Sequence, residues 1–280
     1  MAIQAYFLRH VTCLRNAGRS FGRDDGWAIA SHVTLSGIMA LFPFLIFCAS
    51  LVPYFDLGDF PDTVVHLIFD VWPASVAGPV AQEIRTVLTQ QRGDVLTSGA
   101  AVALLFASSG VEALRLGLNR AYRMAERRNM LILRLQSILF VVISSLIVIT
   151  IAFLLVLLPL GWAIARKHLP WLDSYEETVG FWRLAVSVLV LIVALVTCHK
   201  WLPAGTRGLG EVLPGVIVTL VCWFAASLLF AAYLEQFATY VGTYAGLAGI
   251  MIALVFIYIM SVIFLVGAEY NKALTDMDAR

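Results

Sequence analysis

The chain has 280 residues, of which 61% are hydrophobic and 13% charged, with a mean hydropathy of +0.88. A soluble globular chain carries roughly 45–50% apolar and about 25% charged residues, so no soluble core of this length could hide the apolar surface and a bilayer must solvate it. The net charge of +1 excludes a generally basic coat for nucleic acid, so the informative question is where the nineteen basic residues lie.

Residues 1–26 have no continuous apolar run of the kind a cleavable signal needs. They read as a basic amphipathic helix, with Ile3, Phe7, Val11 and Leu14 on one face and Arg9, Arg15 and Arg19 around it. Such a helix is expected to lie on an anionic membrane surface. A spanning helix needs roughly 20 apolar residues to cross about 30 Å of hydrocarbon. Five segments approach or exceed that length: Trp27–Val52, Gln136–Ala163, Phe181–Cys198, Val212–Tyr233 and Tyr244–Gly267. A sixth, Leu96–Val111, is shorter and rich in Ala, Gly and Ser, as suits a helix buried among other helices, and is expected to continue to about Arg123.

The fold expected is therefore all-α, a polytopic bundle of six transmembrane helices over 27–267, with a cytoplasmic tail at 268–280. Within it, 55–95 reads as an outer amphipathic segment. Asp62 can cap a helix bearing Val64, Val65, Ile68, Val71 and Trp72, and Ser75 can cap a second bearing Val76, Val80, Ile84, Val87 and Leu88. Orientation follows from the asymmetry of Lys and Arg. Fourteen of them fall in the N-terminus, 112–134, 199–211 and the C-terminus, against five (Arg85, Arg92, Arg166, Lys167 and Arg183) on the other side. Both termini are thus expected in the cytoplasm. Trp162, Trp171, Tyr175 and Trp182 gather on the outer side as an interfacial belt would.

Polar groups at membrane depth are costly and stand as functional hypotheses by default. In the first span His32, Ser36, Met39 and Pro43 share one helix face, and Pro43 withholds an N–H, so a kinked, cavity-lining face is expected there. At the inner end of the second span Glu112, Arg115, Asn119, Tyr122 and Glu126 fall along one face and, with Arg120, suggest a cytoplasmic vestibule. Glu112 pairs with Arg115 in this reading, and Glu269 and Asn271 of the last span join them, with Arg115 or Arg120 as partner to Glu269. Gly242, Gly246 and Gly249 form small-residue patterns suited to helix packing, and Pro214 fits the first turn of the fifth span.

Catalytic and metal-binding patterns are missing. The five histidines (His10, His32, His66, His168 and His199) are dispersed, and no HExxH or CxxC spacing exists. Asp56, Asp59 and Asp62 cluster, but as turn and helix-cap residues around Gly58 and Pro61. Neither a catalytic residue, a metal site nor a cofactor is expected, and no nucleic-acid partner.

The stretch Ala30-Ser31-His32-Val33-Thr34-Leu35-Ser36, continuing to Leu41-Phe42-Pro43, resembles the first-helix signature of the YihY/BrkB family. Ser108-Ser109-Gly110-Val111-Glu112 through Leu118-Asn119-Arg120-Ala121-Tyr122 is similar to its second motif. Leu202-Pro203, Pro214-Gly215 and Tyr233 resemble the third, and Tyr244, Gly246 and Gly267-Ala268-Glu269-Tyr270-Asn271 the fourth. The family often carries an aromatic residue where this chain has His32. The resemblance, running from about Asp24 to Asn271, implies a six-helix bacterial inner-membrane protein. It also implies links to virulence and to envelope lipid export, and a ribonuclease label generally regarded as a misassignment. Together with the polar face and the amphipathic outer segment, it suggests a transporter-like protein that moves a lipid or other envelope component, with membrane lipids as its surroundings. A non-catalytic scaffold or accessory subunit of an envelope complex, with protein partners, is the alternative; the oligomeric state is left open.

Overall fold

The structure, a computed structural model, describes residues 2–51, 93–236 and 245–279, and they are helical almost throughout. The expected outer amphipathic helices at 62–92 and Gly242 lie outside the described residues. Eight α-helices follow in chain order among the described residues: α1 (Ala2–Arg23), α2 (Gly26–Leu51), α3 (Gly93–Ala121), α4 (Met130–Ala152), α5 (Leu158–His168), α6 (Glu176–Trp201), α7 (Leu209–Gln236) and α8 (Ala245–Asp278).

Local chemistry sets the breaks. Between α1 and α2 Asp25 takes φ +56°, a left-handed conformation that Asp tolerates better than most side chains. Gly26 is needed beside it, because a Cβ there would sit 2.4 Å from the Phe21 ring. Asn129 caps α4 by accepting the Leu131 N–H at 3.1 Å. A π-helical turn, Phe153–Leu157, joins α4 to α5 immediately before Pro159. Proline has no N–H to donate, and its ring would crowd the carbonyl of Leu155, so the helix widens there. Pro170 forces Leu169 out of the helical region (φ −135°, ψ 79°), ending α5 before a 3-10 turn at Pro170–Tyr175.

Five stretches are long and apolar enough to cross a membrane: Ala101–Ala121, Met130–Leu155, Trp171–Trp201, Leu209–Glu235 and Met251–Asp278. The short, small-residue segment of the sequence reading is among them, carried to Ala121. The first segment is represented by a shorter apolar stretch, Gly26–Leu41, within the 26-residue α2. The Trp171–Trp201 stretch buries only 11% of its apolar window inside the protein. Phe106, Phe224 and Leu229 likewise point outward. Surfaces of this kind are stable only against hydrocarbon.

The described helices pack chiefly as α2 on α3 and α7 on α8, with α8 also against α2. The best-packed core lies towards one end, where Leu118, Leu202, Val212, Val216, Phe264 and Leu265 are buried together. Close backbone approach of α7 and α8 rests on two glycines. A Cβ on Gly215 would lie 2.2 Å from the Gly267 carbonyl, and one on Gly267 would lie 2.1 Å from Thr219 Oγ1. Gly246 and Gly249, the expected packing residues, are described only as backbone in the first turns of α8. Pro214 sits inside α7, five residues after Leu209, rather than in its first turn.

At 34 residues α8 is about 51 Å long, well beyond the hydrocarbon thickness. Its C-terminal end carries α1, whose Cys13, Ala17 and Phe21 are buried, Cys13 and Ala17 beside Tyr270 and Leu274. The helix thus docks through this side and leaves Val11 and Leu14, on the face expected to lie on a membrane surface, exposed together with Leu8.

Candidate functional site

A network of buried polar side chains ties five elements together at the packed end of the bundle. Its centre is Asn271 in α8, which is almost fully buried. Its Oδ1 accepts the Gly215 N–H at 2.6 Å, and its Nδ2 donates to the Val212 carbonyl at 2.9 Å and to Tyr122 Oη at 3.1 Å. Tyr122 Oη also hydrogen-bonds His199 Nδ1 at 2.9 Å. His199 Nε2 is buried with no hydrogen-bond partner among the described residues. The Arg207 guanidinium stacks on the Tyr122 ring at 3.9 Å, a cation–π contact. Burial pushes the Tyr122 phenol up to about 12, which keeps it a donor.

A second layer locks the loop after α3. Asn119 Oδ1 accepts the Ala204 N–H at 2.6 Å, and its Nδ2 donates to Glu126 at 3.0 Å. Arg128 donates to both Glu126 oxygens (2.8 and 2.6 Å) and to the Leu202 carbonyl at 3.1 Å. The hydrogen bond from Arg128 is the main reason the Glu126 carboxyl falls to about 2. Arg123, held at φ +54°, donates to Asp24 at 2.8 Å and to the buried Glu269 at 3.2 Å, with Asp276 at 3.8 Å. Burial acts to lower the Arg123 pKa, but the Asp24 hydrogen bond and the three carboxylates outweigh it and raise it.

The vestibule residues of the sequence reading thus do converge, though with different partners. Glu112 pairs with Arg134 at 2.5 Å, across to α4, and not with Arg115. Arg115 is 5% exposed and donates to the Leu133 carbonyl (2.9 Å) and to Ser137 (2.5 Å). Intrahelical spacing suggested Glu112–Arg115, but α4 approaches closely enough to offer both residues shorter routes. Glu269 takes Arg123 in place of Arg115 or Arg120, and Arg120 reaches Asp25 at 3.7 Å. Asn119, Tyr122, Glu269 and Asn271 form a packed polar lock, and beside it an open cleft of about 540 Å³ is lined by Asn119, Arg120, Arg123 and Glu126, with a second of about 300 Å³ at Arg123 and Glu269. Sequence reasoning missed His199, Arg207, Arg123 and the glycine pair. For Gly215 and Gly267 a signal existed in the motifs that carry the resemblance.

The expected cavity-lining face of α2 turns outward among the described residues. His32 is exposed, Met39 is 75% exposed, and Ser36 and Pro43 are half-buried. The helix runs through Pro43 without a break. Instead, the Val33, Gly37 and Phe44 side of α2 borders a crevice of about 270 Å³, closed by Ala107, Gly110 and Ser144 among others. The Thr34 hydroxyl, buried beside it, donates to the Ala30 carbonyl at 2.8 Å and accepts from the Ser261 hydroxyl at 3.2 Å. Among the described residues no group of three or more His, Cys, Asp or Glu could hold a metal ion.

Long apolar helices with outward-facing hydrocarbon, joined at one end by a buried polar lock, define a multi-pass inner-membrane protein. The virulence factor BrkB family model matches residues 17–280, and the chain belongs to that family. It is 30% identical over 253 residues to the ribonuclease-like protein YfkH of Bacillus subtilis (strain 168), covering 89% of this chain and 90% of that protein. No solved structure matches. Membership places the chain in a group regarded as non-enzymatic despite the ribonuclease wording of some names.

Proposed function

We propose that the protein is a six-span transporter-like facilitator that moves a lipid or other amphiphilic envelope component across the inner membrane. In this reading α2, at 26 residues and about 39 Å, is the sixth span, and both termini are cytoplasmic by the fourteen-to-five distribution of basic residues. The polar lock then lies at the cytoplasmic end.

The observation that carries the reading is the crevice between α2, α3, α4 and α8. It is lined mainly by apolar groups, with Ser144 and Ser261 as its polar points, and is reached beside Gly37. A Cβ on Gly37 would meet nothing within 4 Å, so this wall of the crevice is open. An acyl chain suits such a groove, while the polar group of an amphiphile remains towards the helix ends.

The test is the rate at which a fluorescent phospholipid crosses between leaflets of vesicles holding the purified full chain. Wild-type protein should exceed protein-free vesicles, Gly37→Trp should fall to the protein-free rate, and Met39→Trp, on the outward face, should match wild type. Equal rates with wild type and without protein would refute lipid movement. The closed lock favours the second reading, a non-catalytic scaffold or accessory subunit, in which Gly37→Trp has no effect and a stoichiometric envelope protein accompanies the chain through purification.

A further inference from the structure

At the end of the α4–α6 pair remote from the lock, three residues that carry N–H donors line one small cleft. It lies between α5 and α6, has a volume of about 110 Å³ and is lined by Trp162, Arg166, Glu176, Gly180 and Arg183, with Pro159 at its edge. The spacing explains the convergence. Trp162 and Arg166 are four apart on α5, and Glu176, Gly180 and Arg183 recur at four and three on the facing side of α6, so each set occupies one helix face. The turn at Pro170–Tyr175 folds the two faces together.

Trp162 Nε1, Arg166 Nε and Arg183 Nε are all buried, and none has an acceptor among the described residues. Arg166 is oriented by Glu176 and by Asp173, the latter at 3.5 Å, through Nη1, and its Nε takes no part in these pairs. Arg183 makes no ion pair with any described residue, so the lining holds two guanidiniums against one carboxylate. Buried donors without acceptors are expensive, by about 1–3 kcal/mol each, and three around one space are complementary to an acceptor-rich anion. Since a water occupies about 30 Å³, the cleft's volume is about that of four waters, a space for one compact group such as a phosphate. Arginine forks match phosphate geometry, and an indole N–H adds a third point of attachment.

The cleft also has the right depth. Trp171, Tyr175, Phe181 and Trp182 are exposed around this end, the pattern of side chains that sit at headgroup level. We propose that Trp162, Arg166 and Arg183 form a binding site for the phosphate group of a phospholipid in the leaflet at this end of the bundle. This rests on the lipid-handling reading above and specifies where the headgroup is held. Gly180 keeps the cleft open, since a Cβ on it would touch nothing within 4 Å.

The experiment titrates the full chain, purified in a maltoside detergent, with dioctanoyl phosphatidylglycerol, with dioctanoylglycerol and with inorganic phosphate, following binding by calorimetry. Phosphatidylglycerol should bind and dioctanoylglycerol, which lacks the phosphate, should not. Arg183→Gln removes charged donors and Gly180→Leu fills the cleft with both arginines intact. Each should weaken phosphatidylglycerol binding about tenfold or more, from the worth of a charged hydrogen bond. Absence of phosphatidylglycerol binding, or binding that survives either substitution in folded protein, overturns the proposal. Binding of inorganic phosphate without the lipid, lost in both variants, would overturn the lipid assignment. Leaflet crossing with Gly37→Trp probes the crevice and leaves this cleft untouched, so the two readings fail separately.

Discussion

Replacing Asn271 with alanine tests the polar lock most directly. The side chain makes three hydrogen bonds at a buried position, to Gly215, Val212 and Tyr122, and so joins α7, α8 and the end of α3. Truncation leaves the Gly215 N–H without that acceptor, and Tyr122 loses a donor while keeping His199. Each buried group left unpaired costs about 1–3 kcal/mol, and the space left by the amide adds to it. A total of about 3 kcal/mol follows, or about 6–12 °C in melting temperature at the 2–4 °C per kcal/mol of a chain somewhat smaller than this one. Thermal unfolding of purified protein in detergent measures it, with Met39→Ala as the outward-facing control. A loss no greater than that of the control would refute the assignment of Asn271 as the keystone. Tyr122→Phe should cost about 1–2 kcal/mol alone and less than additively with Asn271→Ala, because the two share a bond.

Further expectations concern packing and charge. Gly267→Ala should be more destabilising than Gly110→Ala in the same melts. The added methyl meets Thr219 Oγ1 at 2.1 Å and the Gly215 carbonyl at 2.9 Å in the first case, but only the Ala40 Cβ at 3.0 Å in the second. Glu126 titrates at about 2 in the folded protein against an ordinary 4.5. Because the folded value is depressed, its stabilisation is fully present above about pH 4.5 and is lost as pH falls from there towards 2. Solvent screens this exposed carboxylate, so the linkage is about 1 kcal/mol, and Glu126→Gln should flatten that limb of a stability–pH curve. Arg134→Ala should change the melting temperature little, since the Glu112–Arg134 pair is exposed on both sides. Arg123→Met should cost more, because it strands the buried Glu269.

The membrane class, the helical content and most of the spans were legible in the sequence. Hydropathy over about twenty residues is a local sum that needs no knowledge of neighbours, and every backbone polar group in hydrocarbon must be satisfied within its own helix. Ala101–Ala121 was legible for the same reason, despite its small side chains. That Asn119, Tyr122, Glu269 and Asn271 belong to one place also followed from their positions at the ends of helices on one side of the membrane.

Who bonds to whom did not. Glu112 and Arg115 satisfy the three-residue spacing on one helix, yet α4 brings Arg134 to the first and Ser137 to the second. His199 looked like one dispersed histidine until α6 carried it to Tyr122, 77 positions away in the chain. The face of α2 that holds His32 and Pro43 could be read as a unit, but periodicity does not say which way a face points. Packing against α3 and α8 turned the opposite face, with Val33, Thr34 and Gly37, inward. Segment by segment, the amino-acid sequence determined that this chain lives in a membrane as helices, because water rejects each apolar run independently. The lock, the glycine contact and the crevice depended on the tertiary structure, because hydrogen bonds and close packing form over a few ångströms between residues far apart in the chain.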